Sequence, residues 1–208
     1  METYPISLAL FDFVPTFAFL IGAFYLVRTA VICRGRPSSR MLMAGALLVF
    51  LGGFTKALWK FMVAAEVADI VWLSQLQFIL SGIGFLGLCV AVIYMVRGHR
   101  KASTGGAVLG MALWKLPFLF VMTLSSLGAE GILTYMAFKR GLRLAGAAFA
   151  IGVMGLLAMG ALASADQTIA IQWIEESINT VGNCGFMLGS ILLYKSFKKY
   201  GCEIPSGG

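Results

Sequence analysis

Several long apolar segments of this sequence contain ionisable side chains that could bind a solute or carry a proton. Asp12, Lys56 and Lys115 lie in such segments, and so do the adjacent carboxylates Glu175 and Glu176. An ionisable group at bilayer depth is costly unless it has a partner or faces a water-filled cavity. We therefore expect these residues to form ion pairs or to line a cavity.

A polar stripe follows in the last apolar segment of the chain. Glu176, Asn179 and Asn183 recur at helical spacing, which places them on one face of a helix. We expect this face to point into the protein, either as part of a substrate or proton path or as a hydrogen-bonded seam between helices. The sequence leaves both interpretations open.

Two mirrored polar clusters are expected from this placement, one toward each face of the membrane, and each contains acidic and basic residues. Asp12 could pair with Lys56 or Lys60, which lie one turn apart on one helix face, whereas Lys115 could pair with Glu175 or Glu176. Lys60 is predicted to snorkel to the headgroups instead. The predicted substrate-binding residues are Asp12, Lys56, Gln75, Lys115, Glu175, Glu176, Asn179 and Asn183.

The composition indicates that these segments lie in a lipid membrane rather than in water. Of the 208 residues, 60% are hydrophobic and 12% are charged, and the mean hydropathy is +0.90, too apolar for an ordinary soluble domain. The first hydrophobic run has no basic region before it and no small-residue cleavage site after it, so it is predicted to remain as a spanning helix. The predicted location is a cell membrane, plasma or inner.

Polar breaks divide the chain into about six membrane-spanning helices. Basic loops provide three of the breaks, and short acidic turns provide the other two. The predicted helices occupy residues 6–32, 41–63, 69–96, 106–138, 143–163 and 168–197.

An internal repeat is indicated at an offset of 101 positions. In this register Trp72 matches Trp173, and Gly84-Phe85 matches Gly185-Phe186. Chance similarity between two stretches rich in alanine and glycine is the alternative explanation. The repeat predicts a first three-helix unit over residues 1–101, a second over 102–201 and a flexible tail over 202–208.

Three crossings in each unit would make the two units inverted relative to each other. Pro15 and Pro117 are almost in register, and both are predicted to kink their helices. This topology divides the basic loops nearly equally between the two faces, so the sequence leaves the orientation undetermined. The predicted fold is an all-α integral membrane protein with two inverted three-helix repeats.

Several classes of site and partner are disfavoured. No CxxC pair is present, and the single histidine, His99, lies in a basic loop, so we expect no metal and no cofactor. The basic residues serve as loop anchors at lipid headgroups, so no nucleic-acid partner is expected. The lipid bilayer is the expected partner, and homo-oligomerisation is left open.

Transport is the function that this pattern favours. Inverted halves with buried charges suit a transporter or channel for a small polar or anionic solute, with Lys56 and Lys115 holding the solute and Glu175 or Glu176 taking up a proton or cation. A membrane sensor or assembly partner is one alternative, and a lipid-modifying intramembrane enzyme is another. An enzyme is disfavoured because the sequence has no intramembrane histidine and no GxSxG motif.

Overall fold

The computed structural model describes residues 5–97, 115–162, 166 and 168–201, and the regular structure in these ranges is helical. The short helix α1 leads into six long helices. Their bounds are α1 Ile6–Phe11, α2 Phe13–Arg34, α3 Arg36–Ala64, α4 Val71–Arg97, α5 Lys115–Lys139, α6 Arg143–Leu162 and α7 Ile169–Tyr200.

Five helices within the described ranges are long and apolar enough to cross a membrane. They are the continuous run Ile6–Arg34 and the spans Ser38–Ala64, Val71–Val96, Phe120–Lys139 and Arg143–Leu162. Much of their apolar surface, including Phe24, Leu124 and Met154, faces outward, as is expected where lipid is the solvent. The chain is therefore an α-helical protein integral to a membrane.

The first predicted helix is interrupted at Asp12, where a single turn residue separates α1 from α2. Pro15 lies in the first turn of α2 and cannot donate a backbone hydrogen bond, which explains why the interruption falls just before it. Thr16 Oγ1 donates to the carbonyl oxygen of Asp12 at 3.3 Å across the break. Pro117 lies near the start of the described part of α5, and the predicted residues 106–114 lie outside the described part of the chain, so the kink predicted at Pro117 stays a prediction.

The six long helices form a closed ring. Each packs on its neighbour in chain order from α2 to α7, and α7 packs back on α2. Helix α1 lies against α2 and α3. This arrangement encloses a central axis to which all six long helices contribute one face.

Contacts between helix ends define the direction of each helix. Arg34 Nε, at the end of α2, donates to the carbonyl oxygen of Met95 near the end of α4. Arg140, just after α5, donates to the carbonyl oxygen of Gly201, just after α7. The ring contact between Tyr25 and Tyr194 also places the late part of α2 beside the late part of α7. Helices α2, α4, α5 and α7 therefore run one way, and α3 and α6 run the other.

This geometry contradicts the predicted inversion of the two halves. Helices α4 and α5 are parallel neighbours, so α2–α4 and α5–α7 pass through the bundle in the same sense. The predicted inversion requires one crossing for each predicted segment. Arg97 lies at one end of the bundle and Lys115 at the other, so the parity on which the inversion rests does not hold.

The two ends of the bundle differ in charge. We call the end where α2, α4, α5 and α7 finish the basic end, because its residues include Arg34, Arg40, Lys139, Arg140, Arg143, Lys195, Lys198 and Lys199. The opposite, acidic end carries Glu66 and Asp69 in one turn and Asp166 in another, and α5 begins there at Lys115. The nearly equal division of basic loops between two faces, predicted from the inverted topology, is therefore wrong.

The apolar core fills the half of the bundle near the basic end. Leu26, Leu42, Val92, Leu133 and Leu193 are almost completely buried there. They come from five of the six helices in the ring, so this end is closed by packed side chains. The other half of the bundle contains the features that could bind a solute.

Candidate functional site

A central cavity of about 240 Å³ lies inside the ring. Its size is below that of sites for drug-sized molecules, which suits a small solute. Every long helix contributes to its wall, and the polar or charged lining residues are Thr16, Lys56, Gln77, Ser81, Ser126, Glu130, Asn179 and Asn183. Phe19, Phe50 and Phe85 supply aromatic surface.

Two hydroxyl groups of the wall donate their protons to backbone carbonyls. Thr16 Oγ1 donates to Asp12, and Ser126 Oγ lies 2.8 Å from the carbonyl oxygen of Met122. The hydroxyl oxygens keep lone pairs that can accept from a bound molecule. Asn183 similarly uses its Nδ2 to donate to Asn179, at 2.9 Å to the carbonyl oxygen and 2.8 Å to Oδ1. These three side chains therefore offer a bound molecule more hydrogen-bond acceptors than free donors.

A four-residue ion cluster lies beside the cavity, toward the acidic end. Lys60 Nζ is 2.5 Å from Glu176 Oε1 and 3.3 Å from Asp12 Oδ2. Lys56 Nζ is 3.3 Å from Glu176 Oε1 and 3.9 Å from Asp12 Oδ1. Asp12, Lys60 and Glu176 are buried, and Lys56 reaches the cavity wall. Two lysines therefore balance two carboxylates.

The cluster joins the two halves of the ring. Asp12, Lys56 and Lys60 belong to the first half, whereas Glu176 lies on α7 in the second half. Removing one member would leave an unbalanced buried charge, which is costly. The contact between α2–α3 and α7 therefore depends on the charge state of this cluster.

The predicted pairing of Asp12 with the lysines of α3 is confirmed, but two other predictions about this cluster are wrong. Lys60 does not snorkel, because its side chain is only 8% exposed and contacts both carboxylates. Glu176 pairs with Lys56 and Lys60 at the acidic end and does not belong to a second cluster at the opposite face. Because α2 and α7 run in the same direction, the early part of α7, which carries Glu176, lies at the same end of the bundle as Asp12. The side chain of Lys115 lies outside the described residues.

The remaining predicted binding residues separate into two groups. Asn179 and Asn183 line the cavity, which confirms the inward orientation of the polar stripe on α7. Gln75 and Glu175 are partly buried but do not line the cavity. Gln77, two positions after Gln75, is the glutamine of α4 that reaches the wall.

Glu130 is a cavity residue that the sequence reasoning missed. It lies on α5, and its Oε2 atom is buried without a hydrogen-bond partner among the described residues. Gly152 on α6 makes room for this carboxylate, since a Cβ atom added there would overlap Glu130 Oε2. A lone acidic residue in the middle of an apolar span was the available signal.

No group of three or more His, Cys, Asp or Glu side chains within the described ranges could hold a metal ion.

No protein-family model, curated protein or solved structure matches this chain.

Proposed function

We propose that this protein transports a small polar solute across its membrane, with the central cavity as the binding site. The observation that supports this proposal is that all six long helices, three from each half, contribute to one cavity on the axis of the bundle, whose mainly apolar wall also carries polar and charged groups. Transporters built from two halves bind their substrates at such an interface. The sequence-based expectation of transport is retained, but with parallel halves.

The proposed architecture is a repeat of three helices, α2–α4 and α5–α7, related by an axis along the membrane normal. In each half a glycine brings the third helix close to the second. A Cβ atom added to Gly84 would lie 2.8 Å from the carbonyl oxygen of Gly45, and one added to Gly185 would lie 2.5 Å from that of Ala148. Gly84 and Gly185 are equivalent at the offset of 101, and this similarity supports the repeat.

We propose that α7 also crosses the membrane. It has 32 residues and is therefore about 48 Å long. Its polar residues Glu176, Asn179 and Asn183 lower its overall hydropathy, but they face the ion cluster and the cavity. Polar groups inside a bundle are compatible with a spanning helix when its other face is apolar, as at Ile174, Val181 and Leu188.

Transport is proposed to occur by relative movement of the two halves. The basic end is closed by the apolar core, whereas the cavity and the ion cluster lie toward the acidic end. Opening the basic end would separate α2 from α7 and α4 from α5, the two helix pairs that join the halves. The ion pairs between Glu176 and the lysines of α3 would resist separation at the acidic end.

We propose that the basic end faces the cytoplasm. Cytoplasmic loops of membrane proteins are enriched in lysine and arginine. The basic end carries the three basic segments around Arg34–Arg40, Lys139–Arg143 and Lys195–Lys199, and the acidic end carries Glu66, Asp69 and Asp166. In this orientation the cavity lies toward the outer side of a plasma or inner membrane.

Solute flux into proteoliposomes tests the transport proposal. Liposomes with and without the purified protein would be exposed to glycerol, urea, glycine, ethylammonium and propionate, and the entry of each would be measured. We expect saturable entry of at least one solute. Asn179→Phe should abolish that entry by filling the cavity, whereas Ile174→Phe, at an outward position on the same helix, should not.

Two results would contradict transport. One is that none of the five solutes enters faster than it does in protein-free liposomes. The other is that Asn179→Phe transports as fast as Ile174→Phe although both variants are folded.

A further inference from the structure

We propose that the cavity binds a small organic cation, with the Glu130 carboxylate as its counter-ion. This inference rests on the transport function proposed above and names the class of solute. It differs from the anionic solute that the sequence pattern suggested, in which Lys56 would hold the solute.

The charges of the cavity wall favour a cation. Lys56 and Glu130 are the charged residues among the described lining residues. Lys56 is already within 4 Å of both Asp12 and Glu176, so an anion would have to compete with two carboxylates for it. Those two carboxylates are in turn balanced by Lys56 and Lys60. Glu130 is the negative charge that this cluster does not balance.

Glu130 has no ionic partner among the described side chains. No ion pair is formed by Glu130 within the described part of the chain, and its Oε2 atom has no donor there. Lys115 begins the same helix, but 15 helical residues separate the two positions by about 22 Å, so it cannot reach Glu130. A carboxylate at this depth has to be paired, hydrated or neutralised, and the adjoining cavity provides room for a ligand that would pair with it.

The other cavity groups fit an ammonium ion. The hydroxyl oxygens of Thr16 and Ser126 can accept from its N–H groups, because their own protons are used on backbone carbonyls. The aromatic rings of Phe19, Phe50 and Phe85 line the same cavity and can attract a cation to their faces. An ammonium group with a short apolar body would satisfy both kinds of surface.

Binding to the purified protein in detergent tests this inference without requiring transport. The probes are ethylammonium and tetramethylammonium, and propionate and propionamide serve as anionic and uncharged controls of similar size. A ligand that binds the folded state raises the unfolding temperature in a saturable way. We expect this effect from at least one cation and from neither control.

Glu130→Gln should weaken cation binding by about tenfold or more, because a charge-assisted contact is lost. Glu66→Gln removes one carboxylate from an exposed turn and should leave cation binding unchanged. Equal cation binding in Glu130→Gln and wild type would overturn the inference. So would stabilisation by propionate without stabilisation by either cation.

A second measurement applies if Glu130→Gln does not fold. Wild-type protein would be treated with an apolar carbodiimide, which modifies accessible carboxyl groups within membranes, and modification at Glu130 would be followed by mass spectrometry. Tetramethylammonium and propionamide are used here because neither reacts with the carbodiimide or with the activated carboxyl group. Protection by tetramethylammonium but not by propionamide supports the site, and equal modification with and without tetramethylammonium contradicts it.

The two proposals fail in different ways. Cation binding that depends on Glu130, without solute flux, would overturn transport and leave the cation site standing. Flux of an uncharged solute that is unaffected by Glu130→Gln, together with no cation binding, would overturn the cation site and leave transport standing.

Discussion

Lys60 Nζ lies 2.5 Å from Glu176 Oε1, although the two residues are 116 positions apart and belong to different halves of the ring. This ion pair fixes the contact between α3 and α7 at the acidic end, beside the cavity. The lysine also contacts Asp12, so one cation connects α7 with the turn between α1 and α2.

Lys60→Met is expected to destabilise the protein by about 3–5 kcal/mol, because it removes one cation from a buried cluster with two carboxylates. Unfolding in mixed micelles would measure the change. Lys198→Met, at an exposed position in the last turn of α7, should change stability by less than about 0.5 kcal/mol.

The double variant Lys60→Met/Glu176→Gln tests whether charge balance is the cause. It leaves Lys56 beside Asp12, so its stability should exceed that of Lys60→Met. A double variant that is less stable than the single variant would show that packing of the lysine stem outweighs charge balance.

Cysteine labelling is expected to place both acidic turns on the same face of the membrane. In a background without Cys33, Cys89, Cys184 and Cys202, single cysteines would be introduced at Glu66, Asp166, Arg40 and Lys139. Parallel halves with the basic end in the cytoplasm, as proposed above, predict that a membrane-impermeant thiol reagent applied to intact cells labels positions 66 and 166 but neither 40 nor 139. Inverted halves would instead place positions 66 and 166 on opposite faces.

Cross-links between the halves are expected to stop solute flux. Phe11 and Trp173 have ring centroids 5.7 Å apart at the acidic end, and Tyr25 and Tyr194 have centroids 5.5 Å apart near the basic end. Cysteine pairs at these positions, joined by a short reducible reagent that reacts with two thiols, should each block flux, and reduction should restore it. The matched pair is Phe13 and Phe54, both in the first half, where a cross-link should have little effect. Flux that continues with both inter-half cross-links formed would rule out movement of one half against the other.

Gly185→Ala is expected to destabilise the protein by about 1–3 kcal/mol, because the added Cβ would lie 2.5 Å from the carbonyl oxygen of Ala148. Gly131→Ala is the control, since its Cβ would meet nothing within 4 Å. Unfolding of the two variants in the same detergent gives the comparison. Equal stability of both variants would mean that α6 and α7 separate easily at this point.

The sequence alone determined the membrane and the positions of most helices. Apolar runs are long relative to the breaks between them, so hydropathy predicted helices wherever the described chain has a spanning one. The inward direction of Asn179 and Asn183 also followed from the sequence, because polar groups at helical spacing in an apolar segment cannot all face lipid.

Only the tertiary structure decided which buried charges meet. The pairing of Glu176 with Lys60 depends on the parallel direction of α2 and α7. Hydropathy measures whether a segment prefers lipid to water, but it does not fix which neighbour a helix meets. That choice comes from close contacts such as those of Gly84 and Gly185 and from the requirement that buried charges be balanced.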